Sequence, residues 1–204
     1  MPISITAEQQ DALNEIVNIG FGRAAAALSS MIDQKVQLEA PSIQITDIAH
    51  LSEAMHDLIP ETAVIVRQSY QGGISGDVVL FMAASSASAL IDLLSGGSGQ
   101  VRRLTASDRE ALIEIGNILL NAYVGSFGNL LNTHIVFSVP SLHASNVNVM
   151  LKTMSLPSEA HQVFLVKTEF KLLAGSVNGY VALIIDAEAL GDLIEAVRQM
   201  GLIE

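Results

Sequence analysis

Apolar residues encircle two long segments of the chain almost completely, and each segment keeps one narrow polar stripe. The first segment runs from Thr6 to about Ile32, and the second runs from Thr105 to about Asn132. Apolar positions that recur three and four residues apart are typical of a helix, and a threonine suits its N-cap. The pattern therefore predicts two helices of about 27 residues each, which other elements of the fold must largely cover.

Shorter β-rich runs follow each long helix in the same order. In the first half we expect strands at Val36–Leu38, Ile43–Ile45, Glu61–Tyr70 and Ile74–Met82, and helices at Thr46–Met55 and Ser85–Leu94. In the second half we expect strands at Ile135–Val139, Val147–Leu151, Val163–Phe170 and Tyr180–Ile185, a poor helix or loop at Thr153–His161, and a helix at Ala187–Met200. Glycine-centred hairpin signals favour a mainly antiparallel sheet, so we predict an α+β fold.

The two halves repeat one another, which indicates a tandem duplication of an α-β-β-α-β-β-α unit. The residues Glu15, Asn18 and Pro41 recur 99 positions later as Glu114, Asn117 and Pro140. We expect a single domain over residues 1–204, built of repeats at 6–96 and 105–201 with pseudo-twofold symmetry. The glycine-rich segment that ends at Arg103 is expected to be a flexible linker between the repeats.

Each long helix carries an acid, a glutamate and an asparagine that lie within an arc of about 60° on its surface. These residues are Asp11, Glu15 and Asn18 in the first helix and Glu110, Glu114 and Asn117 in the second. A solvated helix face is the commoner explanation for such residues. Asparagine, however, is a poor residue for a helix interior, and both copies keep it beside glutamate. We therefore treat both stripes as candidate functional sites that face solvent or a partner.

The composition narrows the classes of function. A net charge of −11 argues against a nucleic-acid partner, and the absence of cysteine excludes disulfides and cysteine-ligated metal. The N-terminus lacks the basic and apolar regions of a signal peptide, and no apolar run approaches the roughly 20 residues of a membrane span. We expect a cytoplasmic monomer that is not inserted in a membrane.

The chain lacks the other common catalytic arrangements. Its five histidines show no helical zinc-pair spacing, and the sequence contains neither a phosphate-binding loop nor a serine nucleophile elbow. What remains is a carboxylate beside an amide, twice. These groups do not readily support covalent catalysis, but they can position a water molecule and complement charge.

The motif resembles the signature Asp/Ser-x3-Glu-x2-Asn-x22-Pro of the CheC family of chemotaxis phosphatases. The first copy matches at every position, whereas the second has Glu110 where the signature has aspartate or serine. Within the wider CheC/CheX/FliY family, a chain of 204 residues with two motifs is most similar to the CheC group. The resemblance implies that the two motif helices lie on the surface of a layered sheet.

The resemblance also implies an activity, which is the removal of the phosphoryl group from the aspartyl phosphate of a CheY-type response regulator. Asn18 and Asn117 would then align the attacking water, and Glu15 and Glu114 would meet a lysine of the receiver domain. The chain would bind no cofactor, because the receiver brings its own Mg²⁺.

The remaining motif residues would have supporting roles. The resemblance implies that Asp11 and Glu110 tune docking, and we assign Pro41 and Pro140 to the shape of the strand bend beside each helix. An alternative stays open, in which the stripes only bind a partner such as a receiver, a CheD-like deamidase or a flagellar switch component. A structural subunit of the motor switch is a third hypothesis.

Overall fold

The computed structural model describes residues 5–39, 43–47, 50, 51, 53, 55, 58, 59, 62–147, 149, 150 and 161–199. The helices that it defines within these residues are α1 (Ala7–Ile32), α2 (Ala84–Leu94), α3 (Ala106–Leu130) and α4 (Ala187–Gln199). The strands are β1 (Gln37–Glu39), β2 (Ile43–Asp47), β3 (Ala63–Gln71), β4 (Gly76–Ala83), β5 (Val136–Phe137), β6 (Ser141–Ser145), β7 (His161–Leu172) and β8 (Gly175–Asp186).

The strands form one antiparallel sheet in the order β1-β7-β8-β4-β3-β5. β2 continues the edge that β1 begins and pairs with β7, while β6 does the same beside β5 and pairs with β3. β4, from the first repeat, and β8, from the second repeat, pair with each other at the centre of the sheet. The predicted α+β fold with an antiparallel sheet is confirmed.

Alternate residues along the central strands divide the core between the two faces of the sheet. On one face Val64, Val66, Phe164 and Val166 pack with buried residues of all four helices. On the other face Ile65, Phe81 and Leu165 pack with Leu51 and Met150. Both faces of the sheet are therefore covered, and the two motif helices lie together on the first face, as the resemblance implied.

The two motif helices run antiparallel and cross near Gly20. A Cβ atom on Gly20 would lie 2.9 Å from the backbone oxygen of Ala122, so the helices approach each other closely at this point. Ile16, in the first half of α1, shares a groove with Leu130, at the end of α3. Because each motif occupies the first half of its own helix, the antiparallel arrangement places the two motifs toward opposite ends of the pair.

One predicted element is wrong in type, and a second one begins later in the chain than predicted. Val147–Leu151 is not a strand, because residues 147, 149 and 150 have helical backbone and the edge strand is β6 instead. Val147 and Met150, three positions apart, are buried while Val149 is 56% exposed, which is a helical spacing. The predicted helix Thr46–Met55 is wrong at its start, because Thr46–Asp47 belongs to β2, but its described residues 50, 51, 53 and 55 have helical backbone. The predicted loop or helix at Thr153–His161 lies outside the described residues except for His161, which begins β7.

The segment between the repeats is held in place rather than flexible. Asp92 Oδ2 accepts hydrogen bonds from the backbone N–H groups of Gly99 and Gln100, each at 2.8 Å. The hydroxyl of Ser88 accepts from the backbone N–H of Arg102 and donates to its carbonyl oxygen, both at 2.7 Å. These four bonds from α2 fasten the connection before α3 begins, which corrects the expectation of a free linker.

The second motif helix is more apolar than the sequence expectation allowed. Among the described helices, α3 alone is long and apolar enough to cross a membrane, and 56% of its most apolar stretch is buried inside the fold. The apolar composition of α3 is explained by its burial against α1 and the sheet. A helix in the core of a folded domain can be as long and as apolar as a membrane span.

Candidate functional site

The polar stripe of α1 faces solvent, and the helix begins with a well-formed N-terminal cap. Thr6 and Gln9 form a capping box, with bonds of 2.8 and 3.2 Å between side chain and backbone. Leu13 is fully buried and Ile16 is 7% exposed, whereas the stripe is exposed. The exposed stripe residues are Asp11, Glu15 and Asn18. The helical spacing thus predicted the two sides of α1 correctly.

The stripe of α3 differs from that of α1 at its asparagine. Glu110 and Glu114 are exposed, and Leu112 and Ile115 on the opposite side are each 1% exposed. Asn117, in contrast, is half-buried. The helical spacing indicates the side on which Asn117 lies, but it does not indicate how far the sheet and the neighbouring turn cover it.

Asn117 is held by two side chains that the sequence analysis missed. Its Oδ1 accepts hydrogen bonds from Gln68 Nε2 at 3.2 Å and from Asn121 Nδ2 at 3.0 Å. Gln68 is 2% exposed, and its Nε2 also donates to the backbone oxygen of Ser138 at 2.8 Å. A signal for Gln68 was present in the sequence, since it is the one polar residue in the alternating run Val64, Val66, Gln68, Tyr70 that faces the helices.

Asn18 has no such support. It is exposed, and its amide makes no hydrogen bond within the part of the chain that the structure describes. The side chains that tie α1 to the sheet lie one and two turns earlier. Asn14 Oδ1 accepts from the backbone N–H of Ile43 at 2.9 Å, and Gln10 Nε2 donates to the Ile43 carbonyl at 2.8 Å. The two motif asparagines therefore have different environments.

Pro140 lies in a bulge of the edge strand next to Asn117. Ladder pairs join Tyr70 with Phe137 and Arg67 with Ser141, so three residues of the edge face two residues of β3. Proline suits this position because it has no N–H to offer a ladder. The backbone oxygen that anchors Gln68 belongs to Ser138, at the start of the same bulge. Pro41 lies outside the described residues.

The motif acids remain available to a cationic partner. Among the described residues, Asp11, Glu15, Glu110 and Glu114 form no ion pair with a lysine, arginine or histidine of the chain. The described residues also contain no group of three or more histidine, cysteine, aspartate or glutamate side chains placed to hold a metal ion. The chemistry that the two sites offer is therefore a free carboxylate beside an amide.

A shallow groove of about 170 Å³ lies beside the first stripe, between α1 and α3, and its lining is mainly apolar. Ile19, which follows the motif asparagine directly, lines the groove and is 48% exposed. Arg23, one turn further along α1, lines it as well. An apolar side chain beside charged groups is a suitable contact for another protein.

Comparison with known proteins finds similarity to one family. The model of the CheC-like family matches residues 8–45, which include the whole first motif. Two curated relatives come from Bacillus subtilis (strain 168). The flagellar motor switch phosphatase FliY is 29% identical over 171 residues, which cover 83% of this chain and 43% of FliY. The CheY-P phosphatase CheC is 27% identical over 142 residues, which cover 68% of this chain and 67% of CheC.

These identities are nearly equal, so they do not separate a CheC-like chain from a FliY-like one. The chain spans less than half the length of FliY. Among solved structures, FliY of Thermotoga maritima matches with a TM-score of 0.75 and 23% identity, covering 97% of this chain and 99% of that one. A chain of the FliM–SpeE complex of H. pylori matches with a TM-score of 0.71 and 12% identity, covering 98% of this chain and 100% of that one. These two matches establish the fold, and a fold alone does not specify an activity.

Proposed function

The chain is related to the CheC/CheX/FliY family, and we propose that it removes the phosphoryl group from the aspartyl phosphate of a CheY-type response regulator in chemotaxis signalling. The observation that carries this proposal is the pair of outward-facing stripes, each with a free glutamate and an asparagine one turn apart. The curated relatives FliY and CheC are both named as phosphatases, and CheC is named for its action on CheY-P.

The proposed reaction is a hydrolysis in which the chain supplies geometry rather than a nucleophile. The oxygen of a water molecule forms a bond to phosphorus while the bond between phosphorus and the receiver's aspartyl oxygen breaks. The aspartate carboxylate of the receiver is the leaving group, and the oxygen of the water becomes part of the inorganic phosphate. Asn18 or Asn117 orients the water in line with the breaking bond, because an amide can hydrogen-bond both water and phosphoryl oxygens.

The acids of the stripe serve docking in this proposal. Glu15 and Glu114 meet the lysine of the receiver, and their lack of an ion pair within the described residues keeps them available for it. Asp11 and Glu110, one turn earlier and also exposed, adjust the approach of the receiver. Ile19 adds an apolar contact at the first site.

We also propose which cofactor the chain needs, where it acts and in what oligomeric state. It binds no cofactor of its own, since the receiver brings Mg²⁺ to its aspartyl phosphate. It acts in the cytoplasm, as a monomer of two repeats in one domain, and its net charge of −11 is unfavourable for nucleic acid.

The direct test is to time the loss of acyl phosphate from a phosphorylated CheY-type receiver with and without the protein. We expect substoichiometric protein to shorten the lifetime of the phosphorylated receiver. The protein without receiver should release no phosphate. A lifetime that does not change, in the presence of measurable binding, would instead favour the alternative of a non-catalytic adaptor. The same exposed stripes and Ile19 would then serve binding alone, to a receiver, a CheD-like deamidase or a flagellar switch component.

A further inference from the structure

The two motif asparagines are supported differently, and we propose that Gln68 and Asn121 are positioning residues that fix the amide of Asn117 as a hydrogen-bond donor at the second site. This inference rests on the proposed phosphatase function. It assigns a role to two residues outside the motif, and it makes the two sites unequal.

The direction of each hydrogen bond follows from one backbone oxygen. The carbonyl of Ser138 can only accept, so the Gln68 atom that lies 2.8 Å from it must be the amide nitrogen. That nitrogen can only donate, so the Asn117 atom that faces it must be the oxygen. The Asn121 atom that lies 3.0 Å from the same oxygen is therefore also a nitrogen. Two donors thus occupy the oxygen of Asn117, and its amino group is directed away from them.

The first site lacks both supporting side chains. The motif offset of 99 places Gly22 at the position equivalent to Asn121, and glycine has no side chain to donate from. For Gln68 the sheet register gives the equivalent position. The corresponding ladder pairs are Leu142 with Val66 and Ile43 with Val166, and each pair joins a strand of one repeat to a strand of the other. Gln68 lies two residues after Val66 in β3, and Thr168 lies two residues after Val166 in β7. Thr168 is fully buried, and its hydroxyl has no hydrogen-bond partner within the described residues.

This difference has a consequence for catalysis. The amide of Asn18 is free to rotate and must be ordered when the receiver binds, which costs conformational entropy. The amide of Asn117 is already oriented, and the donor that it presents can hold the oxygen of the attacking water or a phosphoryl oxygen. Preorganised donors of this kind act mainly on the chemical step rather than on binding. Removing the support should therefore lower kcat at the second site and leave KM close to its original value.

The test uses one site at a time. Asn18→Ala leaves only the second site, and Asn117→Ala leaves only the first. Adding Gln68→Met, which keeps the length of the side chain but cannot donate, should lower kcat of the second site by about threefold to tenfold, as expected for one hydrogen bond. KM should change by less than about twofold. Asn121→Ala, a half-buried position on the helix, should lower kcat in the same way and serves as the second variant if Gln68→Met folds poorly.

The matched control is Thr168→Val in the protein that retains only the first site. This replacement is nearly isosteric and removes a hydroxyl that has no partner among the described residues, so kcat of the first site should stay within about twofold. The loss caused by Gln68→Met should be at least about threefold larger at the second site than at the first. An equal loss at both sites would indicate a general defect of the sheet and overturn the inference. A second site that keeps its kcat would overturn it as well.

A readout that does not depend on activity separates this inference from the proposed function. The side-chain amide signals of Asn117 and Asn18 can be assigned in ¹⁵N NMR spectra by their loss in the two alanine variants. The Asn117 amide should be ordered on the nanosecond timescale and the Asn18 amide mobile, and Gln68→Met should make the Asn117 amide mobile too. Equal mobility of both amides in the parent would overturn the inference even if the protein is an active phosphatase. If the order differs as expected but no receiver is dephosphorylated, the proposed function fails and the positioning of Asn117 stands.

Discussion

At the scale of single residues, the second motif helix depends on one carboxylate at its start. Asp108 Oδ2 accepts hydrogen bonds from the backbone N–H and the hydroxyl of Thr105, at 2.7 and 2.8 Å. Arg102 Nη2 donates to Asp108 Oδ1 at 2.9 Å. The bond from Arg102, followed by the bonds from Thr105, holds the pKa of Asp108 well below its ordinary value of 3.8. The ionised carboxylate therefore stabilises the end of the segment between the repeats and the first turn of α3.

Replacing Asp108 should make stability less dependent on acid pH. A carboxyl whose pKa is lowered in the folded state contributes stability above its unfolded pKa and loses it as the pH falls below that value. Asp108→Asn should therefore lower Tm at pH 7, and the difference from the parent should shrink as the pH is lowered from about 4 toward 2. Thermal unfolding followed by circular dichroism at several pH values measures this. A difference in Tm that is constant from pH 7 to pH 2 would show that the charge of Asp108 is not the cause.

The sequence could predict part of the candidate site and not the rest. The exposure of Glu15 and Asn18 follows from the period of one helix, which is a local property. The support of Asn117 by Gln68 is not local, because the two residues are 49 positions apart and meet only through the strand register. The bulge that contains Pro140 sets this register, and its presence depends on which strands pair. Asn121 could have been found, since it lies one helical turn after Asn117 on the same side.

At the scale of secondary-structure elements, the crossing of α1 and α3 determines how the two motifs are held. Phe21 and Tyr123 meet across it with ring centroids 5.7 Å apart and an angle of 69° between the rings, a favourable edge-to-face contact. Gly20 is buried at the crossing, where the backbone of α3 leaves no room for a side chain. Gly22 is exposed, and a Cβ atom there would meet nothing within 4 Å. Of these two glycines, therefore, only Gly20 lies in the packing face between the helices.

These two glycines should respond in opposite directions to the same substitution. Gly22→Ala should stabilise the protein by up to about 1 kcal/mol, because alanine favours the helix and contacts nothing. Gly20→Ala should destabilise it by about 1–3 kcal/mol, because the new methyl group forces the two helices apart. Urea unfolding of both variants provides the comparison. If Gly20→Ala were as stable as Gly22→Ala, the close approach of the helices at this point would be wrong.

The elements that were predicted well carry strong local signals. The long helices have caps and an apolar period over many residues, and β3 to β4 and β7 to β8 are hairpins that turn at glycine. The prediction for Val147–Leu151 was wrong because its alternating apolar residues suit a strand, whereas the buried residues Val147 and Met150, which pack with Leu51 and Met55, have helical spacing. The segment before α3 was misread as flexible because its composition gives no sign of the two side chains in α2 that hold it.

At the scale of the whole molecule, the two halves share one sheet and one helical layer. β4 and β8 join the halves at the centre, and α1 packs directly against α3. The two repeats contribute to the same core, and the single domain of two repeats stays a prediction. The antiparallel helices place the two stripes toward opposite ends of the helix pair. If the proposed function is right, each stripe is a separate place of turnover.

The central claim is that the motif amides promote hydrolysis, and replacing both of them tests it most directly. The double variant Asn18→Ala, Asn117→Ala should dephosphorylate a CheY-type receiver on the order of 10²-fold more slowly than the parent, as expected for the loss of a positioning donor. Its affinity for the receiver should change much less, because the glutamates remain. The matched variant Glu15→Ala, Glu114→Ala should instead weaken binding more strongly.

The measurement is the rate at which a phosphorylated receiver loses its acyl phosphate, with receiver binding measured in parallel on the same preparations. We expect a large fall in rate with nearly intact binding for the double asparagine variant. A double asparagine variant that dephosphorylates the receiver as fast as the parent would contradict the phosphatase mechanism.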